Sequence, residues 1–486
     1  MKQLKDLLFG VQLDAIQGST HIPIKDISFD SRKVVENGVF VAISGGEING
    51  HEYISNAISK GATAIICEEK PSIMDDKVCW IYTKNCRKAL AVLAANFYDN
   101  PSSKLKLIGI TGTNGKTTVA SLLYKLFNAA GYGSGLLSTI EIAYENQLID
   151  ATHTTPDPLQ LNMYLNKMVN LGLDYCFMEV SSHGIDQGRI HALDFAGGVF
   201  TNITHDHLDY HGSFAEYRDV KKQFFDQLSQ NAFALVNADD KNGEFMLQNS
   251  AAKRVRYGLQ NYADYKAQIL EHEFSGMLLK IDNHEFWSTL IGQFNASNLL
   301  AVYAVARLMD LDSLEILELM SKLKNVKGRF QIYQTPNSAT VIVDYAHTPD
   351  ALKNVLATIA QIRTKNETLL TVVGCGGNRD HDKRPMMGNV AAKSSDYVIF
   401  TSDNPRDENP DEIIDAMEKG VAPEDYKKTL RIPNRKEAIK AACMRLVAGD
   451  VLLIAGKGHE NYQEIKGERH PFDDYQVVHE ICKQLF

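Results

Sequence analysis

The residues Gly112, Thr113, Asn114, Gly115, Lys116, Thr117 and Thr118 form the most chemically specific stretch of this chain. They follow the apolar, β-prone run Leu105 to Ile110 and lead straight into the helix-forming stretch Val119 to Phe127. A strand, a glycine-bearing turn and a helix in that order build a phosphate-binding loop. Glycines let backbone N–H groups close on phosphate oxygens, and the helix N-terminus adds positive partial charge. Lys116 is then placed to reach β- and γ-phosphates, and the Thr117 hydroxyl to sit on Mg²⁺. The spacing departs from the common Walker pattern, since Ile110 stands where its first glycine belongs. A glycine-rich turn opening an ordinary helix is the plainer alternative; the strand before and the helix after favour nucleotide binding.

Further polar clusters follow apolar runs. Asp174 to Val180 reads as a buried strand that carries Glu179 near its end and is followed by Ser181, Ser182, His183 and Gly184. Gly198 to Ile203 is another, followed by His205, His207 and His211 within a few residues. In open α/β sheets ligands bind outside the carboxyl ends of strands, so Glu179 and His207 are candidates for the metal shell that nucleotide phosphates need. The helix Phe214 to Phe225 carries Lys221 and Lys222, whose spacing alone reads as a solvated charged face. Asn295 and Asn298 lie three apart at the start of a helix, where they could cap it or recognise a base.

The elements that must position these residues can be read in order. Val39 to Ile43, Ala64 to Cys67 and Trp80 to Tyr82 read as strands, and Tyr53 to Lys60 and Arg87 to Tyr98 as helices. The polar stretches 29–32 and 45–51 of this first unit read as turns, with a ligand role open. Strand–helix repetition from 99 to about 330 argues a largely parallel sheet, and Glu271 to Leu290 alternates like a hairpin. A third α/β unit begins with Thr340 to Tyr345. Its strands end in the loops 346–350, 374–380, 402–407 and 455–460, which suggests one shared binding edge. Arg379, Arg384 and Arg406 make that edge basic, which suits a carboxylate-bearing ligand. The expected organisation is α/β in three units, 1–98, 99–330 and 331–486.

The whole chain bounds the function class. Its 486 residues suffice for about three domains, with 44% hydrophobic and 23% charged residues. A net charge of −9 argues against a nucleic-acid binder while leaving room for a local basic pocket. Seven cysteines without a CxxC pair fit neither a disulfide framework nor a structural zinc site, and they suit a reducing cytoplasm. The start of the chain lacks a signal-peptide core and no run reaches membrane-spanning length, so no membrane role is expected.

The joint occurrence of Gly112 to Thr118, Glu179 to Gly184, His207 to Gly212, Asp344 to Asp350 and Asp403 to Arg406 resembles the Mur ligases. These are the ATP-dependent amide-forming enzymes of peptidoglycan precursor synthesis. The resemblance runs through all three units and implies a three-domain architecture: a UDP-sugar-binding domain, a central domain with a P-loop ATPase-like parallel sheet, and a Rossmann-like amino-acid-binding domain. It implies that Gly112 to Thr118 hold ATP with Asn295, Arg329, Asp344 and His347, and that Lys116, His207 and Lys221 are catalytic. It implies that Thr117, Glu179, His207 and Lys221 serve two Mg²⁺ ions, with Lys221 carrying a carbamate. Ser31 and Gly46 are implied at the uridine end, and His153 (in place of an expected Asn), Thr154, Thr155, Ser181, Gln187 and Arg189 at the muramoyl dipeptide. Arg379, Asp403, Asn404, Pro405, Arg406, Gly456 and Glu460 are implied for the amino acid, with Asn378 in place of an expected Asp. The substrates so implied are ATP, UDP-N-acetylmuramoyl-L-alanyl-D-glutamate and meso-2,6-diaminopimelate, handled by a cytoplasmic monomer. A lysine-adding ligase, a folylpolyglutamate-synthase-like ligase and a nucleotide switch are the rival readings. The switch requires a guanine-specific Asn-Lys-x-Asp, which the sequence lacks.

Overall fold

Three large sheets, each built from one stretch of chain, dominate the architecture, with two further two-stranded sheets among the described residues. The computed structural model describes residues 1–45, 48–71, 74–364 and 366–486. Near the N-terminus a five-stranded sheet includes the parallel strands Asp26–Ser28, Gly38–Val41, Ala62–Cys67 and Cys79–Tyr82, with Ala15–Gln17 antiparallel at one edge. The alternation of Val, Ile and Ala along them fills a core on both faces, as expected for parallel strands covered by helices.

The largest sheet has eleven strands and carries the phosphate loop near its middle. Strand Lys106–Thr111 lies between Tyr175–Glu179 and Gly197–Phe200, parallel to both. Apart from the first residues of two of them, exposed Lys106 and half-buried Tyr175, their residues are buried, and each strand delivers its polar successor to the same sheet edge. The parallel centre is flanked by antiparallel strands at both ends, including the alternating meander Tyr265–Glu273, Gly276–Ile281 and His284–Ser288. The helices Lys116–Ala129 and Gln293–Leu308 cover one face, sharing a single apolar cluster with the sheet.

The third sheet has six strands, with Thr340–Asp344, Val451–Ala455, Leu369–Val373, Tyr397–Phe400 and Thr429–Arg431 adjacent and parallel in that order. Its core also joins the large apolar cluster of the central unit. The joint between them is tight: Gly328 has φ +66°, and a Cβ there would stand 2.0 Å from the backbone nitrogen of His459. Arg329 is thereby held against Thr117, and Phe330, the next residue, is tied to the strand end at Asp344.

Candidate functional site

The loop Gly112–Gly115 has the shape that its glycines permit. Gly112 has φ +144° and Gly115 φ +88°, and Gly115 precedes the helix with no side-chain cap on the first-turn N–H groups. A Cβ at Gly112 would meet Thr201 Oγ1 at 2.0 Å, and one at Gly115 would meet Asn298 Oδ1 at 2.5 Å. The loop is buttressed from the next strand. Asn202 Oδ1 accepts from Asn114 N at 2.9 Å, Asn202 Nδ2 and Thr201 Oγ1 donate to Asn114 O at 3.1 and 2.6 Å, and Thr113 N donates to Asn202 O at 2.8 Å. Sequence reading passed over Thr201 and Asn202. The strand-end rule that singled out Glu179 applies equally to them.

Two lysines converge on this loop. Lys116 Nζ donates to Gly112 O at 3.0 Å and to Thr113 O at 2.8 Å, and Lys221 Nζ donates to the same Gly112 O at 2.9 Å. The solvated-face reading of Lys221 and Lys222 is corrected here, because both are buried. Their helix, Phe214–Asp226, turns them inward along with Tyr217, Phe224 and Phe225. Lys222 is neutralised by Asp226 at 2.5 Å. Among the described residues no carboxylate pairs with Lys221; the Tyr217 ring lies 4.7 Å from its nitrogen. Burial, reinforced by the charge of Lys116, holds the Lys221 amine well below the usual lysine range, with Asp206 opposing. Lys116 is lowered too, by burial first.

Acidic and imidazole groups face these cations. Glu179 is fully buried; its Oε1 accepts from Thr139 N at 2.7 Å and its Oε2 has no partner. A bare carboxylate oxygen without water contact is costly unless a cation completes it, which fits a divalent ion. His207 sits in the left-handed region at φ +55°, its Nε2 3.5 Å from Asp206 Oδ2. Its side chain keeps 44% of its surface open to the cleft, yet its pKa is driven down, by desolvation first and then by Lys116, His183 and Lys221. A neutral imidazole is the form that binds a metal. Among the described residues no three His, Cys, Asp or Glu side chains gather to hold an ion by themselves.

Of the residues expected at the nucleotide, Arg329 reaches Thr117 of the loop. Arg329 Nη2 donates to Thr117 Oγ1 at 3.3 Å, and its guanidinium lies 4.6 Å over the Tyr345 ring with a buried, unpartnered Nε. Asp344 Oδ2 accepts from Phe330 N at 2.6 Å, and burial pushes this carboxyl up to about 6. His347 shares a 2.9 Å contact with Tyr345 O. Asn295 Nδ2 donates to Ile291 O at 2.8 Å and Asn298 lies against Gly115. Neither asparagine caps the helix, whose N-cap is Gly292, so the capping reading is also corrected.

A second group lies beyond Glu179. Thr155 Oγ1 donates to Glu179 O at 2.9 Å and accepts from Ser181 N at 3.0 Å, and Thr154 Oγ1 accepts from Thr139 Oγ1 at 3.1 Å. Arg189 donates through Nε and Nη2 to Gln187 Oε1 and through Nη1 to Thr155 O at 2.5 Å. Thr154, Thr155, Ser181, Gln187 and Arg189 thus form one connected patch. His153, beside it, is exposed, with Thr152 Oγ1 3.2 Å from its Nδ1. Ser31 is buried in the N-terminal unit, and Gly46 falls outside the described residues.

In the third unit Asp403, Asn404, Gly456 and Glu460 come together. A Cβ at Gly456 would stand 2.5 Å from Asp403 Oδ2, and Asn404 Nδ2 donates to Glu460 Oε2 at 2.8 Å. After Pro405 the chain turns left-handed at Arg406, φ +51°, and Arg406 Nη1 donates to Gly377 O at 2.8 Å. Glu464 lies 3.4 Å from its Nε. Arg379 is exposed. The expectation that Arg384 adds free positive charge is corrected: it is buried and forms a two-pronged pair with Glu408 at 2.8 and 2.8 Å.

A glycine-bearing loop between a strand and a helix, with two buried lysines and a bare buried carboxylate beside it, is the arrangement of a nucleotide-dependent enzyme. Family models cover most of the chain: Mur ligase family, catalytic domain, over 23–98; Mur ligase middle domain over 110–306; and Mur ligase, glutamate ligase domain, over 328–458. The chain is 51% identical, over 99% of both sequences, to the UDP-N-acetylmuramoyl-L-alanyl-D-glutamate–2,6-diaminopimelate ligase of Cytophaga hutchinsonii. It is 50% identical, over 99% of both, to that of Bacteroides fragilis. A solved structure of a ligase of that name superposes with a TM-score of 0.70 at 31% identity, covering 99% of each chain. The chain belongs to the Mur ligase family.

The histidines generate a pH prediction. His347 and His459 are held down to about 4 and about 3, by burial first. The unfolded chain binds these protons near the ordinary histidine value of about 6.5. Stability is therefore unaffected above that pH and falls progressively as pH drops from about 6.5 toward 4. Thermal melts of the wild type should fall over that window, and fall less in His459→Gln; equal losses in the two proteins would contradict the assignment.

Proposed function

We propose that this protein joins 2,6-diaminopimelate, in its meso form, to UDP-N-acetylmuramoyl-L-alanyl-D-glutamate at the expense of ATP. The observation that carries this reading is the phosphate loop flanked by two pockets: the Thr154–Arg189 patch beside Glu179, and the Asp403–Glu460 cluster on the third sheet. Identity near one half over full length to ligases of that name supports the same substrates. The working units are taken as 1–98 for the UDP-sugar end, 99–330 for ATP and 331–486 for the amino acid. Seven free, buried cysteines and the lack, among the described residues, of a helix long and apolar enough to cross a membrane suit a cytoplasmic enzyme. It is taken to act as a monomer.

A carboxylate is a poor electrophile, so it must be activated. A glutamyl carboxylate oxygen attacks the γ-phosphorus of ATP, the bond to the β-phosphate oxygen breaks, and ADP leaves an acyl phosphate. The amine of the incoming amino acid then attacks the acyl carbon. The tetrahedral intermediate expels phosphate, and the amine loses its proton. Lys116, now folded onto Gly112 O and Thr113 O, swings to the phosphates when they displace those carbonyls. Uncapped N–H groups at Lys116 and Thr117 hold phosphate oxygens. Arg329 and Asn295 position the nucleotide, and Asp344 holds the backbone at Phe330 that carries Arg329.

Thr117, Glu179 and His207 would hold Mg²⁺, which when bound offsets the repulsion between an anionic nucleophile and an anionic triphosphate. Lys221 does not fit a metal shell as an ammonium. Its depressed pKa leaves a fraction of free amine able to add carbon dioxide, losing one proton and forming a carbamate whose oxygens would serve as ligands to a second ion. Lys221→Ala should lose activity by about 10²-fold or more and recover part of it in acetate, which supplies the missing oxygens. Turnover near wild type without acetate would rule the carbamate out.

Selection of the amino acid is assigned to Arg406 and Glu460. Meso-diaminopimelate carries a distal carboxylate that lysine lacks, and the planar fork of Arg406 can bind it bidentately while Glu460 takes the distal ammonium. Phosphate release from ATP should need both the UDP-dipeptide and the amino acid, which separates a ligase from a switch. Arg406→Ala should lower kcat/KM for diaminopimelate by about 30-fold or more while changing any lysine activity little, because only diaminopimelate loses a charge partner. Wild-type preference for L-lysine would overturn the substrate assignment.

A further inference from the structure

The amino-acid pocket holds a lysine that the mechanism above leaves without a role. Lys457 follows Gly456 at the carboxyl end of the strand Val451–Ala455, and its side chain is wholly buried. Its ammonium donates to Asn404 Oδ1 at 3.0 Å and to Glu460 Oε2 at 2.9 Å. Asn404 Nδ2 closes the triangle on that same Glu460 oxygen at 2.8 Å. Asn404 Oδ1 also accepts from Glu464 N at 2.9 Å, which ties the unit to the hairpin beside Arg406. A lysine cut off from water must be paired or give up its proton. Here the partners are two residues of the pocket itself, brought together from loops after two different strands.

We propose that Lys457 is a positioning residue for amino-acid recognition, locking Asn404 and Glu460 into one unit that presents Glu460 to the distal ammonium of the substrate. This rests on the assignment of Glu460 to that ammonium. Lys457 and Asn404 both use Oε2, so Oε1 is the oxygen left for the ligand. The charged and titratable groups around Glu460 come from several elements: Lys457 and His459 on its own loop, Asp403, Tyr345, Tyr462 and, deeper, Arg435. Arg435 is already taken by Asp474, at 2.8 and 2.7 Å. Burial first, and then Asp403, raise the Glu460 carboxyl, while Lys457 pulls it back. Without Lys457 a proton on Glu460 becomes favoured, and a protonated carboxyl no longer attracts an ammonium.

The test uses full-length Lys457→Met with all three substrates. KM for diaminopimelate should rise at least about tenfold, while KM for ATP and for the UDP-dipeptide stays within about twofold. The ratio of variant to wild-type kcat/KM for diaminopimelate should climb as pH rises from about 6.5 to 9, as Glu460 regains its charge. The double variant Lys457→Met/Glu460→Gln removes the unpaired buried carboxylate, so it carries the test even where the single variant does not fold. Its KM for diaminopimelate should equal that of Glu460→Gln alone. An unchanged KM, a pH-independent ratio, equal losses for all three substrates, or a further loss in the double variant would each overturn the proposal. Wild-type turnover of diaminopimelate, measured first, checks the underlying substrate reading separately. Its absence would overturn both, whereas turnover with any of those results overturns only the role of Lys457.

Discussion

Two lysine ammonium groups share one carbonyl oxygen, Gly112 O, while a carboxylate oxygen of Glu179 stands buried with no partner. That imbalance of charge is the constraint on which the rest of the structure depends. Like charges drawn together at low dielectric repel by several kcal/mol, on the order of 332/(εr) with an effective ε near 20. Lys116 and Lys221 are tolerated there because the strand Lys106–Thr111 and the helices Lys116–Ala129 and Phe214–Asp226 fix the backbone regardless. The protein alone leaves the site electrostatically incomplete. In the proposed reaction, triphosphate, metal and substrate carboxylate would be the charges that complete it.

The second requirement is that three substrates meet in line. The central sheet supplies the phosphate loop and Glu179 from adjacent parallel strands. The joint at Gly328 then presses Arg329 onto Thr117 and sets the third sheet's loops opposite. Asp206 shows how closely the units cooperate. Burial works against its ionisation, yet neighbours from both units, His207 and Lys116 from the central one and His347 and Lys383 from the third, bring its carboxyl below the usual carboxylate range. Water excluded from such a cleft cannot hydrolyse an acyl phosphate, and every electrostatic contact inside gains strength.

The legible part of this arrangement followed from local rules. A run of β-prone residues, two glycines and a helix start can form only a few structures, so the strand lies within one residue of its expected limits, while the helix begins three residues earlier than expected, at Lys116, and ends two later, at Ala129. Glu179 was marked by its place at a strand end, and the hairpin strands by their alternation. Lys221 and Arg384 were not legible from spacing, because a helix face is declared polar or buried by what packs on it, and their partners lie far off in sequence. Lys221 is 109 residues from Gly112. Arg384 pairs with Glu408, 24 residues on. Lys457 was hidden for another reason: between two glycines it read as part of a turn, and only the fold sets it against Asn404, 53 residues away.

The central claim is that this cleft transfers a phosphoryl group onto a carboxylate before the amide forms. Its most direct test is to supply the UDP-dipeptide with oxygen-18 in the glutamyl carboxylates, together with ATP and diaminopimelate, and to analyse the released phosphate by mass spectrometry. An acyl phosphate requires one carboxylate oxygen to leave with phosphorus, so each turnover should place one labelled oxygen in inorganic phosphate. Phosphate released without label, at a rate matching amide formation, would contradict the account.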